Sequence, residues 1–229
     1  MQIKNNKTKQ LTLIIGTAMF GLVLFSQTAS ATSLTADFGV GENLNLRVDG
    51  VEMRDWAGSV NIDVDGVRSL ALCVDLFTSM NVNHTYGTTI GTEVTIDNGG
   101  RVAWLMENEM PSLSGVSQLA GLQLAVWDIV HDNGNGLSTG RIRQSTAHTT
   151  DAAAVNEATA LIALSLGHSA ADGIVYNNYN LHDFSKVQTL MSVPVSANSV
   201  ATSTPEPQSI GMMAMGGLAG LWMKLRRRK

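Results

Sequence analysis

Apolar and polar residues alternate in the first part of the chain that follows residue 31. Two runs, Leu44–Val48 and Val60–Val64, switch between apolar and polar at each position, and each is followed by an Asp-Gly pair. Alternation with a period of two is typical of a strand with one buried face, and Asp-Gly is a strong hairpin signal. The pattern therefore predicts antiparallel strands with tight turns at Asp49-Gly50 and Asp65-Gly66.

A third run, Ser69–Phe77, is almost continuously apolar and contains the single cysteine, Cys73. A short apolar run of this kind favours a buried central strand. Two further short strands are predicted at residues 83–86 and 88–96, and the turn residues 97–100 end the β-rich part.

Helical spacing replaces the alternation after residue 100. Residues 101–106 predict a helix that ends before Pro111, since proline lacks the amide donor that a helix needs. A second helix is predicted from a cap at Ser114 or Ser117 to about His131, and a third over residues 151–166. Gln123 lies on the apolar stripe of the second helix, where a buried amide needs a partner.

The chain then returns to strand-like segments at residues 174–176 and near residues 187–193. Strands on both sides of a helical segment predict an α+β fold. We expect an antiparallel β-sandwich or partly open barrel with an inserted helical subdomain, spanning residues 32–193.

Residues 1–31 have the pattern of a Sec signal peptide. Three lysines precede the apolar run Leu11–Phe25, and small residues follow at Thr28–Ala31. This pattern predicts cleavage by signal peptidase after Ala31. An uncleaved membrane anchor is the alternative.

The C-terminal end has three parts after a Ser- and Thr-rich stalk at residues 194–204. They are the motif Pro205, Glu206, Pro207, the apolar run Ile210–Met223, and a basic cluster that includes Arg226, Arg227 and Arg228. Fourteen apolar residues form a helix of about 21 Å, shorter than the roughly 30 Å core of a membrane. The basic cluster is expected to act as a membrane stop.

This order of parts resembles the PEP-CTERM sorting signal over residues 204–229. The resemblance implies a Gram-negative source with an extracellular polysaccharide matrix. It also implies transient anchoring in the inner membrane by the C-terminal helix and removal of that helix by an exosortase. The processed protein would then reside at the cell surface or in the extracellular matrix. A permanent tail anchor, which would keep the protein in the membrane, is the alternative.

Charge and motifs exclude several function classes. Residues 32–203 contain only seven basic residues and eighteen acidic ones, which gives a net charge of about −11. An acidic surface offers no electrostatic basis for nucleic-acid binding. No hydrolase, zinc-protease or phosphate-loop motif is present, and the five histidines lack ligand spacing, so we expect no cofactor and no metal site. A calcium loop at 128–136 would lack the EF-hand spacing, and a helix-ending turn explains those residues.

A lone cysteine in an exported protein cannot form an internal disulfide. Cys73 is therefore an inert buried thiol, half of an intermolecular bridge, or a reactive group. The composition of the chain alone favours the inert thiol, since free cysteine packs as a small apolar residue.

Two short motifs resemble those of the thioester domains of Gram-positive surface adhesins. They are Leu72-Cys73-Val74 and Gln123-Leu124-Ala125-Val126-Trp127, in the family's order; Leu122 stands where the family usually has Thr. The resemblance implies a thioester between Cys73 and Gln123, shielded from water by Trp127. Such a bond would acylate an amine on a surface target or matrix polymer, giving covalent adhesion by a protein that is not an enzyme.

Other readings of these residues stay open. Gln118 is a competing partner for Cys73, although the motif spacing favours Gln123. His131 or Asp128 could assist proton transfer. The alternative function is a non-covalent structural or polysaccharide-binding matrix protein in which Cys73 is reduced and buried.

Overall fold

A computed structural model describes residues 32–194. The predicted signal peptide, most of the stalk and the sorting segment lie outside these residues. Within the described range, seven strands and three α-helices form one α+β domain, which confirms the predicted class. The strands are β1 (Thr32–Val48), β2 (Val51–Val64), β3 (Val67–Cys73), β4 (Thr85–Thr92), β5 (Ile142–Gln144), β6 (Ile174–Tyr179) and β7 (Leu190–Ser192). The helices are α1 (Gly99–Asn108), α2 (Val116–Asp132) and α3 (Ala152–Leu164).

The strands form a closed antiparallel ring. β1 pairs with β2, and the order then runs through β3, β7, β6 and β4 back to β1. β5 pairs with the last residues of β1, beyond the ring. The sheet closes because β1 pairs with both β2 and β4. It is therefore neither the predicted sandwich nor a partly open barrel.

Both predicted hairpin turns are present. Asp49 and Asp65 have φ values of 50° and 51°, and the glycines after them have φ values of 83° and 88°. Two consecutive residues with positive φ are the requirement of a type I′ turn, which matches the twist of the flanking strands. These turns therefore set the register of β1 against β2 and of β2 against β3.

The β1–β2 hairpin is longer than predicted and is bent by a bulge. Its register shifts between Phe38 and Gly41, opposite Gly58. A side chain at Gly58 would overlap the carbonyl oxygen of Val40 and the Cα of Gly41. Beyond the bulge, the outer part of the hairpin continues past the last pair between β2 and β3. Both strands of the hairpin pack against α2.

The three helices lie between β4 and β6 in sequence, as predicted for an inserted helical segment. α2 packs against α3, β1 and β2, and nearly all of its residues from Leu119 onward are buried. Its first turn is capped by Gln118, whose Oε1 accepts a hydrogen bond from the Gly115 N–H at 3.0 Å. The predicted caps at Ser114 and Ser117 are therefore wrong.

Three other boundaries differ from the prediction. The apolar run 69–77 leaves the strand at Cys73, and residues 83–96 contain one strand, β4, followed by a 3₁₀ turn. β5 was not predicted because Ile142 is the one buried residue in its three positions.

None of the helices formed by residues 32–194 combines the length and apolarity needed to cross a bilayer.

The bulge gives a stability prediction. Gly58→Ala should lower the free energy of unfolding by about 2–3 kcal/mol, because the new methyl group overlaps backbone atoms of the facing strand. Gly91→Ala in β4 is the matched control, since its nearest neighbour would lie at 3.6 Å, an ordinary contact. Urea unfolding of both variants checks this, and equal losses of stability would contradict it.

Candidate functional site

Cys73 is the last residue of β3, where the pairing with β2 has already ended. The last β2–β3 pair is Val60 with Ala71, and the bulged Gly58 would be the next hydrogen-bonded partner, opposite Cys73. Hydrogen-bonded pairs occur at every second residue of an antiparallel ladder. The N–H and C=O of Cys73 therefore face the side from which β2 has turned away, and they need another partner in the core.

The side chain of Gln123 supplies both missing hydrogen bonds. The Cys73 N–H donates to Gln123 Oε1 at 2.9 Å, and Gln123 Nε2 donates to the Cys73 carbonyl oxygen at 2.7 Å. The primary amide takes the place of a strand backbone at this position. Its carbon, Cδ, joins the two bonded atoms and so lies beside Cys73. The structure thus brings together the two residues that the sequence motifs paired.

The site is closed to solvent on the helix side. Gln123 and Trp127 are both fully buried, and Cys73 is 4% exposed. Trp127 follows Gln123 by four residues on α2, one turn along the same face. Its indole N–H has no hydrogen-bond partner within residues 32–194. Trp127 is placed where a shielding residue would be, and that role stays a prediction.

Burial keeps the thiol of Cys73 in its neutral form. Burial, with smaller contributions from the charges of Asp55 and Asp75, raises the pKa of the Cys73 thiol far above its ordinary value. A thiolate is the reactive form of cysteine. Reaction at this sulfur therefore needs a group that removes its proton during the step itself.

Gln118 is not the partner of Cys73. Its side-chain oxygen caps α2 through Gly115, as described above. Of the two glutamines, Gln123 is the one whose side chain contacts Cys73.

The two candidates for proton transfer on α2 have other contacts. His131 Nε2 accepts a hydrogen bond from the Leu76 N–H at 3.3 Å, and burial lowers the pKa of this imidazole. Asp128 accepts a hydrogen bond from the Gly136 N–H at 3.1 Å, and burial raises its pKa to about 6. Each holds a neighbouring backbone segment, and among the described residues neither forms a hydrogen bond with Cys73 or Gln123.

A small cavity adjoins Cys73. It has a volume of about 90 Å³, and Asp55 contributes to its wall together with Cys73. Sequence reasoning missed Asp55, because residues 51–59 show no clean alternation and were assigned to no strand. In the structure they extend β2 and carry Asp55 to this cavity.

This arrangement allows two outcomes. The hydrogen bond from the Cys73 N–H polarises the amide carbonyl of Gln123, and the thiol belongs to the same residue, which is the pairing that a thioester would need. The same two hydrogen bonds also satisfy the end of β3 without any covalent change.

No family model and no curated protein matches the sequence. The N-terminal domain of the Streptococcus pyogenes pilus tip adhesin Cpa is a solved structure to which this chain is similar, with a TM-score of 0.44 and 10% sequence identity. The similarity covers 72% of this chain and 94% of that chain.

Proposed function

We propose that this domain forms a thioester between Cys73 and Gln123 and uses it once to acylate an amine on a surface or matrix partner. The observation that carries the proposal is the double hydrogen bond between the Gln123 amide and the backbone of Cys73. It fixes an amide carbonyl beside the single cysteine of the chain. The product would be a covalent adhesion bond, and the domain would not turn over.

Formation of the bond exchanges an amide for a thioester. The sulfur of Cys73 attacks Cδ of Gln123, and negative charge develops on Oε1. The Cys73 N–H, 2.9 Å from Oε1, stabilises that charge as an oxyanion-hole donor does. The Cδ–Nε2 bond then breaks, and the nitrogen leaves as ammonia with the proton that the thiol has lost.

The buried environment protects the bond once it has formed. Release of the sulfur as a thiolate is disfavoured by burial, as the raised pKa of Cys73 indicates. Complete burial of Gln123 and Trp127 also keeps water from the acyl carbon on the helix side.

A second candidate function keeps Cys73 reduced. Gln123 then serves only to close the backbone hydrogen bonds at the end of β3, and the domain is a structural or polysaccharide-binding matrix protein. The observation in its favour is that both hydrogen bonds of Gln123 are already satisfied by the backbone of Cys73.

We further propose that the chain is exported and sorted to the surface. The support is in the sequence: a signal-like start, an acidic body and the Pro205-Glu206-Pro207 motif ahead of an apolar run and an arginine cluster. An exosortase would remove the C-terminal segment.

Intact mass distinguishes the two candidate functions. The purified protein should be lighter than its sequence by one ammonia, and methylamine should add to Gln123. Cys73→Ala should restore the full mass, whereas Gln118→Ala should keep the deficit because Gln118 only caps α2. Full mass with an alkylatable Cys73 in the wild-type protein would refute the thioester.

The thioester should also stabilise the fold. It would close a loop between residues 50 positions apart. By the loop-closure argument used for disulfides, such a link contributes about 4 kcal/mol. Methylamine should therefore lower the free energy of unfolding of the wild-type protein by about that amount, measured in urea. The Cys73→Ala protein should not respond to methylamine, and a wild-type protein that is equally unresponsive would contradict the link.

The sorting proposal predicts the C-terminus of the exported form. Mass spectrometry of protein recovered from the cell surface or medium should find no residues after Pro207. Changing the Pro205-Glu206-Pro207 motif to alanines should leave the C-terminal segment in place. An intact C-terminus in the exported wild-type protein would indicate a permanent anchor instead.

A further inference from the structure

The cavity beside Cys73 has a composition suited to a cationic amine. Asp55 and Cys73 are its only titratable wall residues, and the other described residues of the wall are neutral. Apart from Ser79 and Gln188 these neutral residues are apolar: Phe38, Trp56, Val60, Met80 and Val82. A single carboxylate in an apolar wall is a site that attracts a single positive charge.

Asp55 is held in place but retains capacity for another partner. One carboxylate oxygen belongs to a local turn, accepting a hydrogen bond from the Trp56 N–H at 2.8 Å. No described basic side chain forms a salt bridge with Asp55. The second nearby carboxylate, Asp75, differs in this respect, because the Lys186 ammonium lies 2.6 Å from it and it borders a different cavity. Asp55 is therefore the carboxylate available to the cavity.

We infer that Asp55 is the proton-transfer group of the Cys73–Gln123 thioester and the anchor for the ammonium group of its acceptor. The inference rests on the proposed thioester. It follows from the shared cavity, which places a carboxylate without a basic partner on the same wall as Cys73, the residue whose thiol must lose and regain a proton.

Acylation of the acceptor moves one proton from its nitrogen to the sulfur of Cys73. The acceptor enters as an alkylammonium, loses one proton to solvent through Asp55, and attacks Cδ of Gln123 as a neutral amine. As the new C–N bond forms and the C–S bond breaks, the nitrogen gives a second proton to the Asp55 carboxylate. Asp55 passes that proton to the departing sulfur of Cys73, which avoids a buried thiolate.

The same route serves formation of the thioester. Attack by ammonia on the thioester is the reverse of the step that forms it, and a reaction and its reverse share one transition state. Asp55 would accordingly take the thiol proton of Cys73 and deliver it to the departing nitrogen of Gln123. One carboxylate then meets the requirement, set by the raised pKa of the thiol, for proton removal during the step.

The cavity also restricts the acceptor to unbranched primary alkylamines, of which a lysine side chain is an example. Its volume is only about 90 Å³. Phe38 and Trp56 contact each other in the wall with ring centroids 4.6 Å apart, and Phe38 is 48% exposed. Aromatic faces attract ammonium groups, so this pair would guide the chain inward from solvent.

The test compares Asp55→Asn with wild-type protein and with Asp75→Asn as the matched control. Two quantities are measured by intact mass: the fraction of protein that lacks one ammonia after folding, and the rate of methylamine addition between pH 4 and pH 9. Asp55→Asn should slow addition by about 100-fold or more near neutral pH, the usual contribution of a general acid-base group. Asp75→Asn should remain within a few-fold of wild type.

The pH profile separates proton transfer from a structural effect. Burial raises the pKa of Asp55, so its carboxylate is lost on acidification at a higher pH than for an ordinary aspartate. The ratio of wild-type to Asp55→Asn rates should fall as pH drops through that pKa, and the ratio cancels the titration of methylamine itself. A merely structural role predicts a ratio that does not change with pH.

Each outcome decides the inference. Thioester in all three proteins with equal addition rates would overturn the role of Asp55 and leave the proposed function intact. A folded Asp55→Asn protein that forms no thioester, beside an Asp75→Asn protein that does, supports the role through the formation step. Absence of the thioester from the wild-type protein would overturn both proposals. Wild-type protein should also react faster with methylamine than with tert-butylamine, and equal rates would refute the restriction to unbranched amines.

Discussion

The pairing of the Gln123 amide with the backbone of Cys73 is the interaction on which the arrangement of sheet and helices depends. A strand that ends inside a core leaves an N–H and a C=O without water, and each unpaired group costs about 1–3 kcal/mol. β2 cannot supply partners because the bulge at Gly58 has turned it away. α2 must therefore lie close enough to extend a side chain to that point, and glutamine is long enough and carries both a donor and an acceptor.

That requirement links three features which are distant in sequence. The glycine at position 58 allows β1 and β2 to approach closely at the bulge, the β1–β2 hairpin packs against α2, and α2 brings Gln123 to the gap left by β2. These three features depend on one another, so a change in the glycine, the hairpin or α2 would disturb the other two. The site is thus a result of how the ring was bent, and its burial follows from the same geometry.

The sequence carried much of this information in short patterns. The two Asp-Gly turns, the order of strands and helices, and the pairing of Cys73 with Gln123 were all predictable, because each depends on a few adjacent residues or on a short motif. The closed ring, the bulge and the extension of β2 were not, because they depend on pairings between residues far apart. Asp55 was missed for the same reason, since only the extended β2 brings it to Cys73.

The direction of the chain through the ring has a consequence for how the site would be displayed. β1 enters beside Val64, next to the Asp65-Gly66 turn, and β7 runs from the level of Cys73 toward that same turn. The described chain therefore begins at the pole of the ring opposite Cys73 and Gln123, and β7 leads back toward that pole. A domain tethered through either of these ends would point its site away from the tether, toward whatever it meets.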